Sequence, residues 1–321
     1  MPDEKARGVE AYKRGDFEAA IKMLSAATKK QKEDADAWYY LGLALNRKND
    51  VKRARKAFER AVKLRPDFAA ARSAFAYILL LSNKLSDAKR EAESALSLNP
   101  QNADAHFVIG VVSLRLGSFK EAVEAIESAL QREPQLPTAY LIRSQALLGA
   151  TAESYSVKRQ RDKPLSKEQQ KENRIAQAKQ YKAAAESLEK YLQLNPQPDS
   201  AEFWREQLET LRVYAKYADE PEGERSLFSA ADDIIKAVLL SKPTPSYTES
   251  ARQADVSGEI ILRVVLASDG AVKHILVVQS LSHGLTEKAV AAARKIKFTP
   301  ATKNGQPVSQ YVTIAYNFNI Y

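Results

Sequence analysis

Small residues recur along the first part of the chain with a period of 34 residues. Gly8, Gly42 and Gly110 share one register, and Ala76 fills the remaining place in it. Three further registers hold alanines or prolines: Ala20, Ala54, Ala88 and Ala122; Ala27, Ala61, Ala95 and Ala129; and Pro66, Pro100 and Pro134. Positions kept in phase over successive units predict stacked repeats, in which each unit buries one face against the next.

Each unit divides into two amphipathic helices. In the second unit, DAWYYLGLALNRKND predicts the first helix and VKRARKAFERAVKLRP predicts the second. Small residues at the Gly42, Ala54 and Ala61 places let the two helices approach closely, while large residues fill the space around them. Pro66 opens the next unit, where its missing N–H costs no helical hydrogen bond.

The spacing and the residue types resemble the tetratricopeptide repeat family over about two thirds of the chain. The predicted repeats lie at 1–34, 35–68, 69–102, 103–136 and 137–198. The last repeat carries an insertion at 151–178, which we expect to be an exposed loop followed by a lengthened helix. Ser166 and Gln169 are spaced as the capping box of that helix. A closing helix at 199–219 covers the end of the array, and residues 221–225 form a linker.

The resemblance implies a concave face, lined by the first helix of each repeat, that binds an extended peptide. Aromatic, apolar and basic residues occupy the family's groove positions: Tyr39, Leu43, Asn46, Arg47, Tyr77, Leu81, Phe107, Val111 and Arg115. They suit a peptide with apolar anchors and a carboxylate. In one family variant, fixed lysine, asparagine and arginine positions bind a C-terminal carboxylate; Lys5 matches, but Val9 replaces the asparagine. The alternative is a scaffold whose groove residues are packed or solvated.

The apolar pattern becomes alternating near the C-terminus. EIILRVVLA, starting at Glu259, places its aliphatic residues on one face and Arg263 on a face that we expect to be solvated. Asp269-Gly270 predicts a turn to the return strand VKHILVVQ, because glycine adopts positive φ without strain. LTEKAVAAARKIKF predicts a helix, and SQYVTIAYNFNIY predicts a closing strand. The resulting order is β-β-α-β.

The segment before these strands is less regular. SLFSAADDIIKAVLL, residues 226–240, is apolar and joins the module as a helix or a strand. Ser246 and Glu249 are spaced as a capping box that begins a short helix through Ala254.

The turns of this module carry a recognisable set of motifs: Pro245-Ser-Tyr247, Gly258, Asp269-Gly270, Phe298-Thr-Pro300-Ala301 and Asn304-Gly305-Gln-Pro307-Val308. Together with the element order, they resemble the C-terminal domain of the TonB family. Thr248 stands where that family usually has a proline. We therefore predict a mainly α chain with an α+β C-terminal domain: an α-solenoid of helix-turn-helix repeats at 1–220, then a small antiparallel sheet domain at 226–321.

The TonB resemblance implies a binding mode. An edge strand presents N–H and C=O groups that an extended segment of an outer-membrane transporter satisfies by adding as a further strand. We expect the closing strand to be the receiving edge, through Gln310, Tyr311, Thr313, Ala315, Asn317 and Asn319. The alternatives are that the first helix, a second copy of the domain or the repeat array covers this edge.

Composition and chemistry exclude other classes of function. The chain has 321 residues, a net charge of +9 and no cysteine, so thiolate metal sites and cysteine nucleophiles are excluded. The three histidines have no metal-ligand spacing, and no P-loop, dinucleotide motif or nucleophile elbow occurs. We therefore predict no enzyme activity, no cofactor and no metal. The basic run KRQRDK at 158–163 is expected to be a solvated loop, not a nucleic-acid site.

The predicted function is that of a bacterial envelope adaptor in the periplasm. The C-terminal domain binds transporter segments, and the repeat array binds a second protein or acts as a spacer. No run of 18 apolar residues occurs, so we expect no membrane span in this chain and a signal or anchor removed from the precursor. The alternative is a soluble scaffold for complex assembly, in which the C-terminal domain docks a partner or forms a homodimer.

Overall fold

The structure is a computed structural model that describes residues 4–159, 166–221, 225–229 and 232–319. Its contacts divide the chain into two compact units, Met1–Ile142 and Arg143–Tyr321. The contacts therefore place the last helices in the same unit as the sheet. Residues 222–224 of the predicted linker, and 160–163 of the basic run, lie outside the described residues.

Paired helices follow the 34-residue period through the first unit. They are α1 (Glu4–Lys13), α2 (Phe17–Lys30), α3 (Ala35–Arg47), α4 (Val51–Leu64), α5 (Ala69–Leu81), α6 (Leu85–Leu98), α7 (Ala103–Arg115) and α8 (Phe119–Arg132). The side chains of Asp16, Asp34, Asp50 and Asn102 begin four of them, each accepting a hydrogen bond from the backbone N–H three residues later. The helix-turn-helix array predicted from the sequence is confirmed.

The fourth position of a repeat holds the preceding turn by a side-chain hydrogen bond. Trp38 Nε1 donates to Lys32 O at 2.9 Å, and Arg72 Nε donates to Pro66 O at 2.7 Å. His106 Nε2 lies 3.0 Å from Pro100 O, and Tyr140 Oη donates to Pro134 O at 3.1 Å. Side chains of different chemistry thus satisfy the equivalent carbonyl in each repeat. His106 has a structural role of this kind.

The helix α9 (Pro137–Arg159) continues into the insertion. The expectation of a loop is therefore wrong for residues 151–159. No proline or glycine occurs between Gly149 and Pro164, so nothing in the sequence ends the helix earlier. The helix α10 (Lys167–Leu194) is lengthened as predicted, and its Ser166–Gln169 capping box is confirmed. The closing helix α11 covers Ala201–Asp219.

The C-terminal module contains a main sheet and a two-stranded sheet. Its elements are β1 (Leu227–Phe228), β2 (Val238–Ser241), α12 (Glu249–Gln253), β3 (Gly258–Leu266), β4 (Val272–Gln279), α13 (Leu285–Ala293), β5 (Lys297–Thr299), β6 (Ala301–Lys303) and β7 (Gln306–Phe318). The main sheet has the order β1-β7-β3-β4, with β6 also paired to β7, while β2 pairs with β5. The β-β-α-β order is confirmed, and residues 226–240 supply strands.

One face of the main sheet packs against α13 to form the module's core. Ile260, Leu262 and Val264 from β3 meet Ile314 and Phe318 from β7 in this core. Gly270, at φ +83°, turns the β3–β4 hairpin as predicted. The predicted capping box of α12 is wrong: the cap is Thr248, whose side chain accepts the Ala251 N–H. The threonine that replaces the family proline thus begins this helix.

Candidate protein-interaction surfaces

The closing strand β7 forms the centre and part of the edge of the main sheet. It pairs antiparallel with β3 from Gln310 to Phe318, and its opposite side pairs with β1 only at Ser309 and Gln310. In the described part of the chain, no strand pairs with that opposite side between Thr313 and Asn317. We call these positions, Thr313, Ala315 and Asn317, the outer edge of β7.

One hydrogen bond shows which backbone groups point outward. Ala315 O accepts a bond from Lys242 Nζ at 2.9 Å, so this carbonyl points away from β3. In an antiparallel strand, both backbone groups of alternate residues point to the same side. The N–H and C=O groups of Thr313, Ala315 and Asn317 therefore face outward, where an added strand would bind them.

The other predicted edge residues lie in different surroundings. Gln310 is buried and paired with both Phe228 and Leu266, and its Oε1 accepts the Ala237 N–H at 2.8 Å. Tyr311 is half-buried, with its ring 6.3 Å from that of Tyr214. Asn319 is exposed and follows the end of the strand.

The opposite edge of the sheet, strand β4, is covered by the closing helix of the array. Gln207 Nε2 on α11 donates to Ile275 O at 3.0 Å, while Gln207 Oε1 accepts the Val277 N–H at 2.8 Å. One amide side chain thus forms the pair of bonds that a neighbouring strand would form. Tyr214 Oη also donates to His274 O at 3.2 Å. Strand addition at this part of β4 would have to displace α11.

Arg263 of β3 is 1% exposed, so the prediction that its face of the sheet is solvated is wrong at this residue. Its guanidinium carbon is 5.7 Å from the ring centroid of Tyr181 on α10 and 5.6 Å from that of Tyr311 on β7. The arginine is therefore stacked between the helices and the sheet, an arrangement that favours guanidinium over ammonium. The helices cover the face that the sequence pattern left for solvent.

The predicted groove residues are distributed over two apolar clusters of the first unit. Tyr39 and Leu43 pack against the cluster around Phe58, whereas Tyr77, Phe107 and Val111 belong to the cluster around Val112. Most of these side chains are half-buried, but Val111 is buried. Three groove side chains are exposed: Arg47, Leu81 and Arg115.

Charged and phenolic groups on α3 and α7 lie in a crowded environment. Burial raises the pKa of Tyr39 to about 12, with smaller contributions from Tyr40 and Asp104. Burial also raises the pKa of the Asp104 carboxyl and lowers that of Arg115. Asp104 and Arg115 are nevertheless reached by solvent. Groups that are partly desolvated but still accessible to solvent are typical of a concave surface. The electrostatic interaction between such groups and a bound peptide is stronger than at a fully hydrated surface.

Lys5, at the carboxylate-binding position, forms an internal ion pair. Its Nζ lies 2.7 Å from Asp34 Oδ2. Burial acts to raise the pKa of Asp34, but bonds from Lys5 and the Ala37 N–H outweigh this effect and leave the pKa lowered. A peptide carboxylate would have to compete with Asp34 for this lysine.

Sequence comparisons assign both parts of the chain. Residues 5–69 and 73–137 match the tetratricopeptide repeat family, and residues 243–320 match the family described as the Gram-negative bacterial TonB protein C-terminal. The chain joins tetratricopeptide repeats to a TonB C-terminal domain. Both are non-catalytic protein-interaction modules.

The curated relatives match only the TonB C-terminal domain. Protein TonB of Xanthomonas campestris pv. campestris strain B100, and that of a second strain, are 39% identical over 75 residues. The match covers 23% of this chain and 34% of the relative, so this chain spans about a third of the relatives' length.

Solved structures are similar to part of the chain. A crystal structure of MamA protein is 21% identical with a TM-score of 0.45, over 61% of this chain and 97% of that one. MamA 41-end from Desulfovibrio magneticus RS-1 is 21% identical with a TM-score of 0.44, over 62% and 99%.

Within the described ranges, no group of three or more His, Cys, Asp or Glu side chains is placed to hold a metal ion. No helix in the same part of the chain is long and apolar enough to cross a membrane.

Sequence reasoning did not identify Gln207, Lys242 or Asp104 as residues of these surfaces. Gln207 and Lys242 act on backbone groups about 70 residues away along the chain, and no local pattern marks such pairs. The burial of Arg263 could have been predicted from the sequence, because it is the only charged residue within the run IILRVVLA. A lone charge in a strand that is otherwise apolar favours a buried, partnered role.

Proposed function

We propose that this protein is an adaptor of the bacterial cell envelope whose TonB C-terminal domain binds extended segments of outer-membrane transporters by strand addition. The repeat array binds a second protein or serves as a spacer. Because the TonB match supports an envelope role, we place the protein in the periplasm or in association with the envelope.

The observation that carries this proposal is the difference between the two edges of the main sheet. The amide of Gln207 satisfies β4 at Ile275 and Val277, whereas the outer edge of β7 presents outward backbone groups that no described strand pairs. A partner strand can gain main-chain hydrogen bonds at β7 without disturbing α11. Such bonds supply affinity with little dependence on the partner's sequence, while flanking side chains supply selectivity.

The repeat array is proposed to bind an extended peptide through the exposed groove residues. Arg47, Leu81 and Arg115 offer cationic and apolar contacts, and Asp104 offers a partly desolvated carboxylate. A peptide carrying both charge signs suits this surface better than a purely acidic one, since Lys5 is already paired with Asp34.

The test uses the full chain and a short synthetic peptide from the N-terminal segment of an outer-membrane transporter. Ala315→Pro should abolish binding, because proline removes an outward N–H without removing a bond to β3. Ala315→Ser, the matched control, keeps the N–H and should bind like the wild type. Binding is measured by fluorescence anisotropy, and the site by amide hydrogen exchange at Thr313, Ala315 and Asn317.

The outcomes separate the candidate functions. Equal affinity of the wild type and Ala315→Pro would show that β7 is not the receiving edge. If no transporter peptide binds and the chain forms a dimer that Ala315→Pro dissociates, the scaffold function with a dimerising module replaces the adaptor.

A further inference from the structure

The segment that leads into the module runs beside the outer edge of β7. The Ala237 N–H donates to Gln310 Oε1 at 2.8 Å, and Lys242 Nζ donates to Ala315 O at 2.9 Å. The two segments advance in the same direction and by the same number of residues between these bonds, so residues 237–242 run parallel to β7. We call residues 237–242 the latch segment.

Side chains make the bonds that hold the latch segment on β7. Lys242 Nζ also lies 5.0 Å from the ring centroid of Tyr316. The backbone ladder of β2 is formed instead with β5, where Val238 lies opposite Thr299 and Leu239 opposite Phe298. Across the described ranges, β2 shares no ladder with β7. A bond from an exposed lysine adds only about 1 kcal/mol or less, so the latch is held weakly on this side.

The latch segment also carries apolar side chains toward solvent. Val238 is 59% exposed and Leu240 is 68% exposed, and Ile235 just before the segment is 73% exposed. Strand residues of this type normally pack against a neighbouring strand or sheet. An extended apolar segment laid along β7 could contact them while its backbone pairs with the outer edge.

We infer that the latch segment covers the outer edge of β7 and that a partner strand displaces it. The partner takes the place of Lys242 Nζ at Ala315 O, and the displaced segment contacts it through the exposed Val238 and Leu240 side chains. Extended segments with apolar side chains are therefore favoured, and strongly polar segments bind less well. This inference rests on the proposed function, because it describes how access to the same edge is controlled.

Weakening the contact between the latch segment and β7 should increase the affinity for the peptide. Lys242→Ala removes the bond to Ala315 O and should raise the affinity for the transporter peptide about fivefold, as expected for one hydrogen bond that competes with binding. Lys236→Ala is the matched control, since Lys236 is an exposed lysine directly before the latch segment, and it should leave the affinity unchanged.

The chain has no cysteine, so a disulfide can fix the latch without side reactions. Val238→Cys with Thr299→Cys places a cysteine pair at directly opposed, exposed positions of β2 and β5. The buried Phe298 anchors β5 in the core, so the oxidised form should hold the latch in place. Oxidation should lower peptide affinity about tenfold relative to the reduced form of the same protein.

A measurement without peptide tests the latch independently. Amide hydrogen exchange at Thr313, Ala315 and Asn317 should be faster in Lys242→Ala and slower in the oxidised variant than in the wild type. Equal exchange rates in all three proteins would overturn the latch, whether or not the peptide binds. If exchange changes as expected but no transporter peptide binds to any variant, the latch stands and the proposed partner fails.

Discussion

At the scale of single residues, the eighth position of each repeat determines how closely its two helices pack. A Cβ on Gly42 would lie 2.7 Å from Phe58 Cδ1, and one on Gly110 would lie 2.5 Å from Ile126 Cγ1. In the third repeat, Ala76 replaces the glycine, and the facing residue of the second helix is the small Ala92. The sequence thus exchanges a glycine–large pair for a pair of alanines at the same place.

Gly42→Ala should lower the free energy of unfolding by about 1–3 kcal/mol, because the added methyl overlaps the ring of Phe58. Phe58→Ala alone should also destabilise the protein, since it leaves a cavity in the core. The double variant reproduces the Ala76–Ala92 arrangement and should be more stable than the sum of the single effects predicts. Urea unfolding monitored by circular dichroism measures all three; strictly additive effects would contradict the close contact.

At the scale of secondary-structure elements, α11 both closes the repeat array and covers one edge of the sheet. Gln207 and Tyr214 form hydrogen bonds with three residues of β4: His274, Ile275 and Val277. Arg294 after α13 adds an ion pair with Glu206 at 2.6 Å. The sequence predicts that α11 closes the end of the helical array, and the structure shows that α11 also covers the edge of β4.

Gln207→Leu should destabilise the second unit by about 1–3 kcal/mol, because a buried carbonyl and a neighbouring N–H lose their partner together. Hydrogen exchange at the Val277 amide should become faster. Lys216→Leu introduces the same side chain at an exposed site of α11 and serves as the control. Unchanged exchange at Val277 in Gln207→Leu would show that the edge is protected by other contacts.

At the scale of the whole molecule, contacts rather than sequence motifs define the units. The tetratricopeptide profile ends at residue 137, and the TonB profile begins at residue 243. The second compact unit nevertheless starts at Arg143 and includes α10 and α11. Arg263 stacks on Tyr181 of α10 and on Tyr311 of β7, and these contacts join helices and sheet within that unit.

Arg263→Ala should destabilise the second unit by about 2–4 kcal/mol, since it removes a buried side chain with its aromatic contacts. Because helices and sheet share this contact, exchange protection of α10 and of β3 should fall together. Hydrogen exchange resolved along the chain measures both regions. Loss of protection in β3 with none in α10 would show that the helices and the sheet unfold independently.

Local features of this protein could be predicted from the sequence, because the residues that form them are close together along the chain. The 34-residue period, the Ser166–Gln169 capping box, the Asp269-Gly270 turn and the order of strands all depend on neighbouring residues. The fold class and both domain families followed from these features. The sequence also predicts the closing strand as the edge that receives a partner, but it does not determine whether another segment covers that edge.

Tertiary structure alone decided which surfaces are covered. Arg263 alternates with apolar neighbours as a solvated residue would, yet it is buried and stacks on Tyr181 of α10. The edge of β4 is satisfied by Gln207 from a helix, and the outer edge of β7 is approached by Lys242, which directly follows β2. Alternation indicates the face on which a side chain lies, but only the packing of distant segments determines what covers that face.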